Sequence, residues 1–228
     1  PDGYGKTQFY SYYRRWKGTM SPSMRIEHKA GDKMYVDYTG KKLQLVDHRT
    51  GECLEQEVFV AILGSSQLIY CEASASQKKE DFIMSCEQAL IYYGGVPRAI
   101  VPDNLKSAVT KSHRYEPTLN ETFADFAEFY QTTIIPARPY KPKDKALVEG
   151  AVKIIYTSIY TKLQDQYFFQ IEELNKAIWE HLEVLNNRQL SNRPYSRRKM
   201  FEDVTERQTS LQCALQAHWA QSKSGLFS

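Results

Sequence analysis

Residues 33–72 read KMYVDYTGKKLQLVDHRTGECLEQEVFVAILGSSQLIYCE, and they set the architecture of the chain. Apolar and polar residues alternate here in short runs rich in β-branched and aromatic side chains, which predict strands at 34–38, 43–47, 58–63 and 68–72. Gly51 lies between the second and third runs and favours a hairpin turn. The opening strands are therefore expected to form an antiparallel meander.

The rest of the chain alternates between helical and strand-like patterns. Apolar residues recur at helical spacing in 77–93, 119–130, 148–163 and 171–185, and Gly94-Gly95 closes the first of these helices. Two short apolar runs, 99–101 and 133–135, predict further strands. A meander followed by helix, strand, helix, strand and helix favours an α/β fold, in which a mixed sheet is covered by helices.

Composition and missing motifs exclude several classes of protein. The 228 residues are 42% hydrophobic and 25% charged, as in a typical globular chain, and no apolar run reaches the roughly 18 residues of a membrane span. The four cysteines form no CxxC pair, which argues against a disulfide framework or a Cys-rich zinc site. The sequence also lacks GxGxxG, P-loop, HExxH and nucleophile-elbow motifs, so carboxylates are the remaining candidates for chemistry.

Charge is unevenly distributed along the chain. The net charge is +3, but residues 1–30 carry +4, residues 31–135 carry −5 and residues 136–200 carry +5. An acidic middle between basic flanks suits a carboxylate site whose polyanionic substrate is held by the flanks. Ordinary variation between short segments produces similar differences, so the asymmetry is only supporting information.

Three acidic residues occupy unusual settings. Asp37 interrupts the first predicted strand, where an unpaired carboxylate is costly. Asp103 follows the apolar run 99–101 and Pro102, and strand ends gather ligand groups in open α/β sheets. Glu149 lies in the first turns of the third predicted helix. Taken singly, each acid is better explained as a solvated turn, a cap or a favourable helix-dipole carboxylate.

Taken together, the three acids predict a metal site. If the strands of Asp37 and Asp103 are neighbours and the helix of Glu149 packs across them, three carboxylates converge at one edge of the sheet. Mg²⁺ and Mn²⁺ prefer such all-oxygen ligands, and two such ions support phosphoryl transfer. Four other acids are weaker candidates for the third position. They are Asp144, which is interpreted as an N-cap, and Glu121, Asp125 and Glu128, which are expected to face water.

Three segments carry a family resemblance: VDYTG at 36–40, PDNLK at 102–106 and RPYKPKDKALVEG at 138–150. They resemble the three acidic motifs of the DDE transposase and retroviral integrase superfamily, and most of all those of bacterial insertion-sequence transposases of the IstA type. The resemblance covers residues 30–205. The third motif, a proline-basic run followed by Val-Glu, is the most specific.

The resemblance implies an RNase H-like α/β fold, with a mixed five-stranded sheet of three antiparallel and two parallel strands. Helices flank this sheet, and a helical C-terminal extension follows it. Asp37, Asp103 and Glu149 correspond to the catalytic, metal-binding triad, which holds two Mg²⁺ ions, with Mn²⁺ as a substitute. Such enzymes cut the transposon end with water and then direct its 3′ hydroxyl at target DNA. The 45 residues between Asp103 and Glu149 exceed the spacing in retroviral integrases and predict an insertion near 110–117.

Residues close to the motifs are candidates for DNA contact. Five are expected to bind phosphates or steady the reacting strand: Asn104, Lys106, Lys143, Lys145 and Lys153. Two other segments leave alternatives open. The aromatic and basic segment 10–17 either grips nucleic acid or forms an interface with a missing partner. The loop 188–199, with five basic residues and no acid, either grips DNA or connects to a missing domain.

The expected domain organisation has three parts. Residues 1–30 are a linker and the helical tail of a missing N-terminal DNA-binding module, residues 31–165 are the RNase H-like catalytic core, and residues 166–228 are a helical extension with a basic loop. The chain opens at Pro1 without a signal-peptide pattern, which indicates a piece of a longer polypeptide.

The resemblance also implies partners and a location. The expected partners are double-stranded DNA (transposon ends and target), further copies of the chain in a synaptic complex, and an AAA+ ATPase helper. We expect no membrane contact, and a cytoplasmic location at the bacterial nucleoid. Two competing hypotheses are a stand-alone RNase H-like nuclease and a non-catalytic DNA-binding or assembly domain.

Overall fold

The computed structural model describes residues 5–19, 28–103, 109–111, 118–119, 121–135, 142–191 and 193–203. The strands, in chain order, are β1 (Lys33–Tyr38), β2 (Leu43–Val46), β3 (Cys53–Leu63), β4 (Ile69–Ser74), β5 (Ala99–Pro102), β6 (Val109–Lys111), β7 (Thr118–Leu119) and β8 (Thr133–Ile134). The helices are α1 (Lys6–Thr19), α2 (Lys79–Tyr93), α3 (Glu121–Phe129), α4 (Pro142–Ile155), a π-helical turn (Tyr156–Tyr160), α5 (Thr161–Leu163), α6 (Ile171–Asn187) and α7 (Arg197–Asp203). Of the helices just given, none has both the length and the apolar character to cross a membrane.

A six-stranded mixed sheet forms the centre of the fold. β3 pairs antiparallel with β1, β2 and β4, whereas β5 pairs parallel with β1, and β8 pairs parallel with β5. β1 and β2 follow one another along β3, because the pairing reaches Tyr38↔Phe59 and resumes at Leu43↔Gln56. Residues 39–42, called the 39–42 loop below, therefore interrupt what is otherwise one strand.

Helices cover both faces of the sheet. On one face, Tyr38 and Phe59 contact Phe82 of α2, which in turn contacts Phe123 of α3. On the other face, α4 packs against β1 and β3 and buries an apolar stripe: Val148, Ala151 and Ile155. Both faces of the central strands are thus shielded from water, which explains why β3 and β4 read as nearly continuous apolar runs.

Helix α6 lies along β4 and binds its outward-facing backbone groups. The Asn186 side chain accepts from the Ile69 N–H at 3.2 Å and donates to the Ile69 carbonyl at 2.7 Å. Asn175 makes the same pair of bonds with Ala73, at 2.6 and 3.1 Å. Between them, the Trp179 indole N–H donates to the Cys71 carbonyl at 3.1 Å. These bonds satisfy strand groups that otherwise offer a template for pairing with another chain.

The predicted fold class is confirmed, with three refinements. The mixed sheet contains the expected antiparallel and parallel strands, and it has six strands where the resemblance implied five. The helix predicted over 148–163 is interrupted by the π-helical turn. The N-cap interpretation of Asp144 is wrong, because α4 begins at Pro142 and Asp144 lies inside its first turn. The small sheet of β6 and β7 lies in the segment where an insertion was expected.

Candidate active site

Asp37 lies on β1, the strand between β3 and β5. It is half-buried and pairs in register with Val60 of β3. Its neighbours Met34 and Val36 are completely buried, so the apolar pattern of the strand holds the acid in the sheet despite its charge. The Asp37 Oδ1 atom accepts the backbone N–H of Tyr38 at 2.8 Å, which orients the carboxylate.

Asp103 follows the last residue of β5 and lies beside Asp37. The parallel register runs from Lys33↔Ala99 to Val36↔Pro102, and the Asp103 N–H continues it by donating to the Val36 carbonyl at 3.0 Å. The next pair along the two strands is therefore Asp37 and Asp103. Adjacent strands are about 4.8 Å apart, and residues in register on parallel neighbours project from the same face. Asp103 is half-buried, and its Oδ1 atom is fully buried.

The face from which these carboxylates project is the one that α4 covers. Asp37 and Thr39 are two positions apart, so their side chains leave the same face of the strand. The Thr39 N–H still bonds to the Val58 carbonyl at 2.8 Å, so the strand pairing extends to this residue. The Thr39 hydroxyl meets the Tyr160 hydroxyl, which belongs to the π-helical turn that continues α4, at 2.8 Å. Tyr38 faces the opposite way, towards Phe82 of α2.

Glu149 is placed by α4 on this same side. It is exposed and directly follows the buried Val148. Lys153 is exposed one turn further along, and residues four apart share a helix face. The helix thus presents an acid and a base beside each other on the side of the sheet that carries Asp37 and Asp103.

The three predicted acids do not close into a three-ligand centre. Within the described ranges, no group of three or more His, Cys, Asp or Glu side chains is arranged to hold a metal ion. The structure brings Asp37 and Asp103 together on neighbouring strands, and α4 carries Glu149 on the same face. Two half-buried carboxylates at the ends of parallel strands form an all-oxygen donor pair, which fits the preference of Mg²⁺.

The predicted DNA-contacting residues fall into two groups. Lys153 is exposed on α4, and Lys143 and Lys145 lie in the first turn of the same helix. Asn104 and Lys106 lie outside the residues that the structure describes. Of the weaker acidic candidates, Glu121 and Glu128 are exposed on α3 as expected, and Asp125 is half-buried.

The 39–42 loop is attached to the π-helical turn by two tyrosine hydroxyls. Tyr156 accepts the Lys41 N–H at 3.0 Å, and Tyr160 donates to the Lys41 carbonyl at 2.6 Å. The Thr39 hydroxyl donates to that same carbonyl at 2.6 Å. Burial raises the pKa of Tyr160, so its hydroxyl keeps the proton that it donates. Sequence reasoning missed Thr39, Tyr156 and Tyr160, although the Tyr-x-x-x-Tyr spacing on an otherwise apolar stripe was a visible signal.

Several basic residues of the loop 188–199 make contacts within the protein itself. Arg198 donates to both carboxylate oxygens of Glu183 at 2.7 and 2.9 Å and to the Tyr92 hydroxyl at 2.6 Å. Arg197 is buried, and Lys199 pairs with Asp203 at 2.8 Å. These contacts connect α7 to α6 and α2, which favours a structural role for three of the five basic residues.

Comparison with curated proteins finds transposases among the relatives. The chain is 46% identical over 204 residues to a predicted transposase of Sinorhizobium fredii, covering 90% of this chain and 40% of that protein. It is 40% identical over 203 residues to a predicted transposase of insertion sequence IS1162 from Pseudomonas fluorescens, covering 89% of this chain and 36% of that protein. The chain therefore spans about two fifths of the length of these relatives. No family model matches it.

Solved structures with the same fold are integrase catalytic cores. The core of BIV integrase superposes with a TM-score of 0.55 at 12% identity, over 76% of this chain and 95% of that one. The HTLV-2 integrase core, solved in complex with magnesium, gives a TM-score of 0.53 at 16% identity, over 75% of this chain and 96% of that one.

The mixed sheet and its covering helices have the fold of these integrase cores. The sequence relatives are insertion-sequence transposases. The chain thus combines the fold of integrase catalytic cores with sequence similarity to transposases.

Proposed function

We propose that this chain is the catalytic part of a bacterial insertion-sequence transposase of the IstA type. It cuts transposon ends and joins their 3′ hydroxyl groups to target DNA. The observation that carries the proposal is the placement of Asp37 and Asp103 as neighbours at the ends of two parallel strands, on the face covered by the helix of Glu149. Like charges side by side repel each other, and a bound cation offsets this repulsion.

In this proposal Asp37, Asp103 and Glu149 hold two Mg²⁺ ions, and Mn²⁺ can replace them. The bound ions supply activation of the attacking oxygen and neutralise the charge that develops on the leaving oxygen. The Asp37 and Asp103 strands are buried in the sheet, so they fix the positions of two ligands before DNA arrives. Glu149 is on the exposed side of α4, where it completes the ligand set when DNA is bound.

The joining step exchanges one phosphodiester bond for another. The transposon 3′ hydroxyl gives up its proton to solvent as its oxygen forms a bond with a target phosphorus, and the bond from that phosphorus to the target 3′ oxygen breaks. The departing oxygen takes up a proton and becomes a new 3′ hydroxyl. No covalent bond to the protein is needed at any stage.

Residues around the site hold the DNA in this proposal. Lys153 projects from the same helix face as Glu149, and Lys143 and Lys145 occupy the first turn of that helix. Asn104 and Lys106 follow Asp103 in the sequence and steady the reacting strand. These contacts neutralise phosphates and are insensitive to base sequence.

The whole transposase is longer than this chain, as its relatives are. We assign residues 31–165 to the catalytic core, 1–30 to the connection with an N-terminal DNA-binding module, and 166–228 to a helical extension. The active form is a multimer on paired transposon ends, assisted by an AAA+ ATPase that selects target DNA. Its location is the bacterial cytoplasm, at the nucleoid.

A strand-transfer assay tests the proposed function. A labelled duplex ending in the element's terminal sequence is incubated with target DNA, Mg²⁺ and the protein, and joined products are counted. Single substitutions Asp37→Asn, Asp103→Asn and Glu149→Gln should each reduce joining to the level without protein, because each removes a metal ligand. The exposed residues Asp165 and Glu128 provide matched controls, and Asp165→Asn and Glu128→Gln should keep wild-type joining.

Three outcomes of this assay separate the hypotheses. Full joining by any one of the three variants removes that residue from the triad. Cut ends without joined products in an assembled complex identify a stand-alone nuclease. DNA binding without Mg²⁺-dependent cutting or joining by the wild-type protein identifies a DNA-binding or assembly domain.

A further inference from the structure

Tyr156 and Tyr160 connect the loop that follows Asp37 to the helix that carries Glu149. Asp37 lies two residues before the start of the 39–42 loop, and Glu149 lies seven residues before Tyr156 on a helix that runs directly into the π-helical turn. Only Tyr38 lies between Asp37 and Thr39, the first residue of the loop that contacts a tyrosine hydroxyl. A shift of the loop against the turn therefore moves the Asp37 carboxylate relative to α4.

The connection consists of several short bonds at one point. The Lys41 carbonyl accepts from both Tyr160 and Thr39 at 2.6 Å, and the two hydroxyls are 2.8 Å from each other. The Tyr156 hydroxyl binds the amide group of the same residue, because it accepts the Lys41 N–H at 3.0 Å. The Lys41 ammonium group lies 5.3 Å from the centre of the Tyr156 ring, a cation–π distance. Thr39 is buried, whereas Lys41 is exposed, so the network lies at the boundary between the core and solvent.

The tyrosines are held in turn by the irregular helix. Their rings meet edge to face, with centroids 5.0 Å apart. Both lie at the ends of the π-helical turn, and buried Ile155 and Ile159 anchor that turn in the core. Isolated π-helical turns are uncommon and are often found at functional sites.

We infer that Tyr156 and Tyr160 are positioning residues, which act through the 39–42 loop to fix the Asp37 carboxylate relative to the helix that carries Glu149. This inference rests on the proposed function, because it assigns the two hydroxyls a role in setting the metal affinity of that site. Neither tyrosine touches the substrate in this account. Residues that orient metal ligands typically contribute about 10–100-fold to metal affinity or activity.

The test is a Mg²⁺ titration of strand transfer by the Tyr160→Phe variant. The substitution keeps the ring and removes the bonds to Lys41 and Thr39. The Mg²⁺ concentration that gives half-maximal joining should rise by about 10–100-fold. Saturating Mn²⁺ should restore joining, because Mg²⁺ tolerates distorted ligand geometry poorly and loses water reluctantly. Tyr156→Phe removes one bond and should show a smaller rise in the same direction.

Matched variants separate positioning from general support of the fold. Tyr167 is 80% exposed, so Tyr167→Phe should leave the Mg²⁺ dependence unchanged. Thr39→Val removes the partner hydroxyl and should behave like Tyr160→Phe, whereas Thr39→Ser retains a hydroxyl and should restore Mg²⁺ half-saturation to the wild-type value. Affinity for the DNA end, measured in Ca²⁺, should be the same in all of these variants.

Two results would overturn the inference. One is a wild-type Mg²⁺ half-saturation value in Tyr160→Phe and Tyr156→Phe. The other is an equal fractional loss of joining at every concentration of Mg²⁺ and Mn²⁺, which indicates support of the fold alone. If Tyr160→Phe fails to fold, Tyr156→Phe decides by the same readouts. Asp37→Asn in the same experiment distinguishes the two proposals, since its inactivity beside a wild-type-like Tyr160→Phe contradicts only the inference.

Discussion

At the β4 edge of the sheet, side chains of α6 bind the backbone groups that face outward, whereas at the ends of β1 and β5 the chain sets two carboxylates side by side. Asn186 and Asn175 each use both ends of an amide to match a backbone N–H and carbonyl. Asp37 and Asp103 instead present the same charge on the same face. The first region pairs complementary groups within the protein, and the second is the site where we propose that metal ions bind.

The acidic residues in the two regions show the same difference. Glu72 on β4 is buried, and its carboxylate accepts the Tyr70 hydroxyl at 2.6 Å. Burial raises its pKa, so the environment there favours the neutral acid. Asp37 and Asp103 are only half-buried and lie where parallel strands end, a position that gathers ligand groups in open sheets. The acid that packs within the fold is thus more enclosed than the two acids of the proposed site.

The largest effect on stability is expected for Asn186→Ala, which removes bonds between α6 and the backbone of the β4 edge. Asn186 is completely buried, and its loss leaves the Ile69 N–H and carbonyl without their partners. The free energy of unfolding should fall by about 2–4 kcal/mol, measured by urea denaturation, because buried polar groups that lose partners cost about 1–3 kcal/mol each.

Asn187→Ala is the control for Asn186→Ala, because Asn187 is on the same helix and bonds within that helix. The Asn187 side chain is exposed and bonds within its own helix to Glu183, so the change should be less than about 0.5 kcal/mol. Equal losses in the two variants would contradict the stabilising role of the bonds between Asn186 and Ile69.

An effect of opposite sign is expected for Asp37→Asn in metal-free buffer. The substitution removes the repulsion between neighbouring carboxylates and keeps an oxygen that can accept the Tyr38 N–H. The free energy of unfolding should rise by roughly 0.5–2 kcal/mol, the usual gain when a destabilised functional site is relaxed. Asp165→Asn, at an exposed loop position, should leave it unchanged. A clear loss of stability in Asp37→Asn would show that this carboxylate supports the fold.

The smallest expected effect is on the salt dependence of DNA binding, and it compares one lysine from each of the two regions. Lys153 lies beside Glu149 on α4, and Lys176 is exposed on α6, the helix that lies along the β4 edge. When log affinity for DNA is plotted against log salt concentration, Lys153→Gln should reduce the steepness by about 1, the value for one lost phosphate contact. Lys176→Gln should leave the slope unchanged. Equal slopes for wild type and Lys153→Gln would remove Lys153 from the DNA surface.

The sequence predicts the local elements well, for physical reasons, and it draws attention to Asp37 and Asp103, which lie on neighbouring strands. Alternation in 33–72 and the αL glycine Gly94, with φ of 70°, locate the strands and the end of α2 directly. Asp37 was conspicuous because a charged residue in a buried strand needs a reason. The contacts of Tyr156, Tyr160 and Asn186 were not predictable, because each pairs residues more than 100 positions apart through polar atoms that leave no periodic pattern.

Crystals of the protein with a transposon-end duplex in Mn²⁺, examined for anomalous scattering, test the central claim most directly. We expect manganese between the carboxylates of Asp37 and Asp103, with Glu149 as a further ligand of the same site. Manganese bound at other acids, with this pair free of metal in a complex that joins DNA, would contradict it.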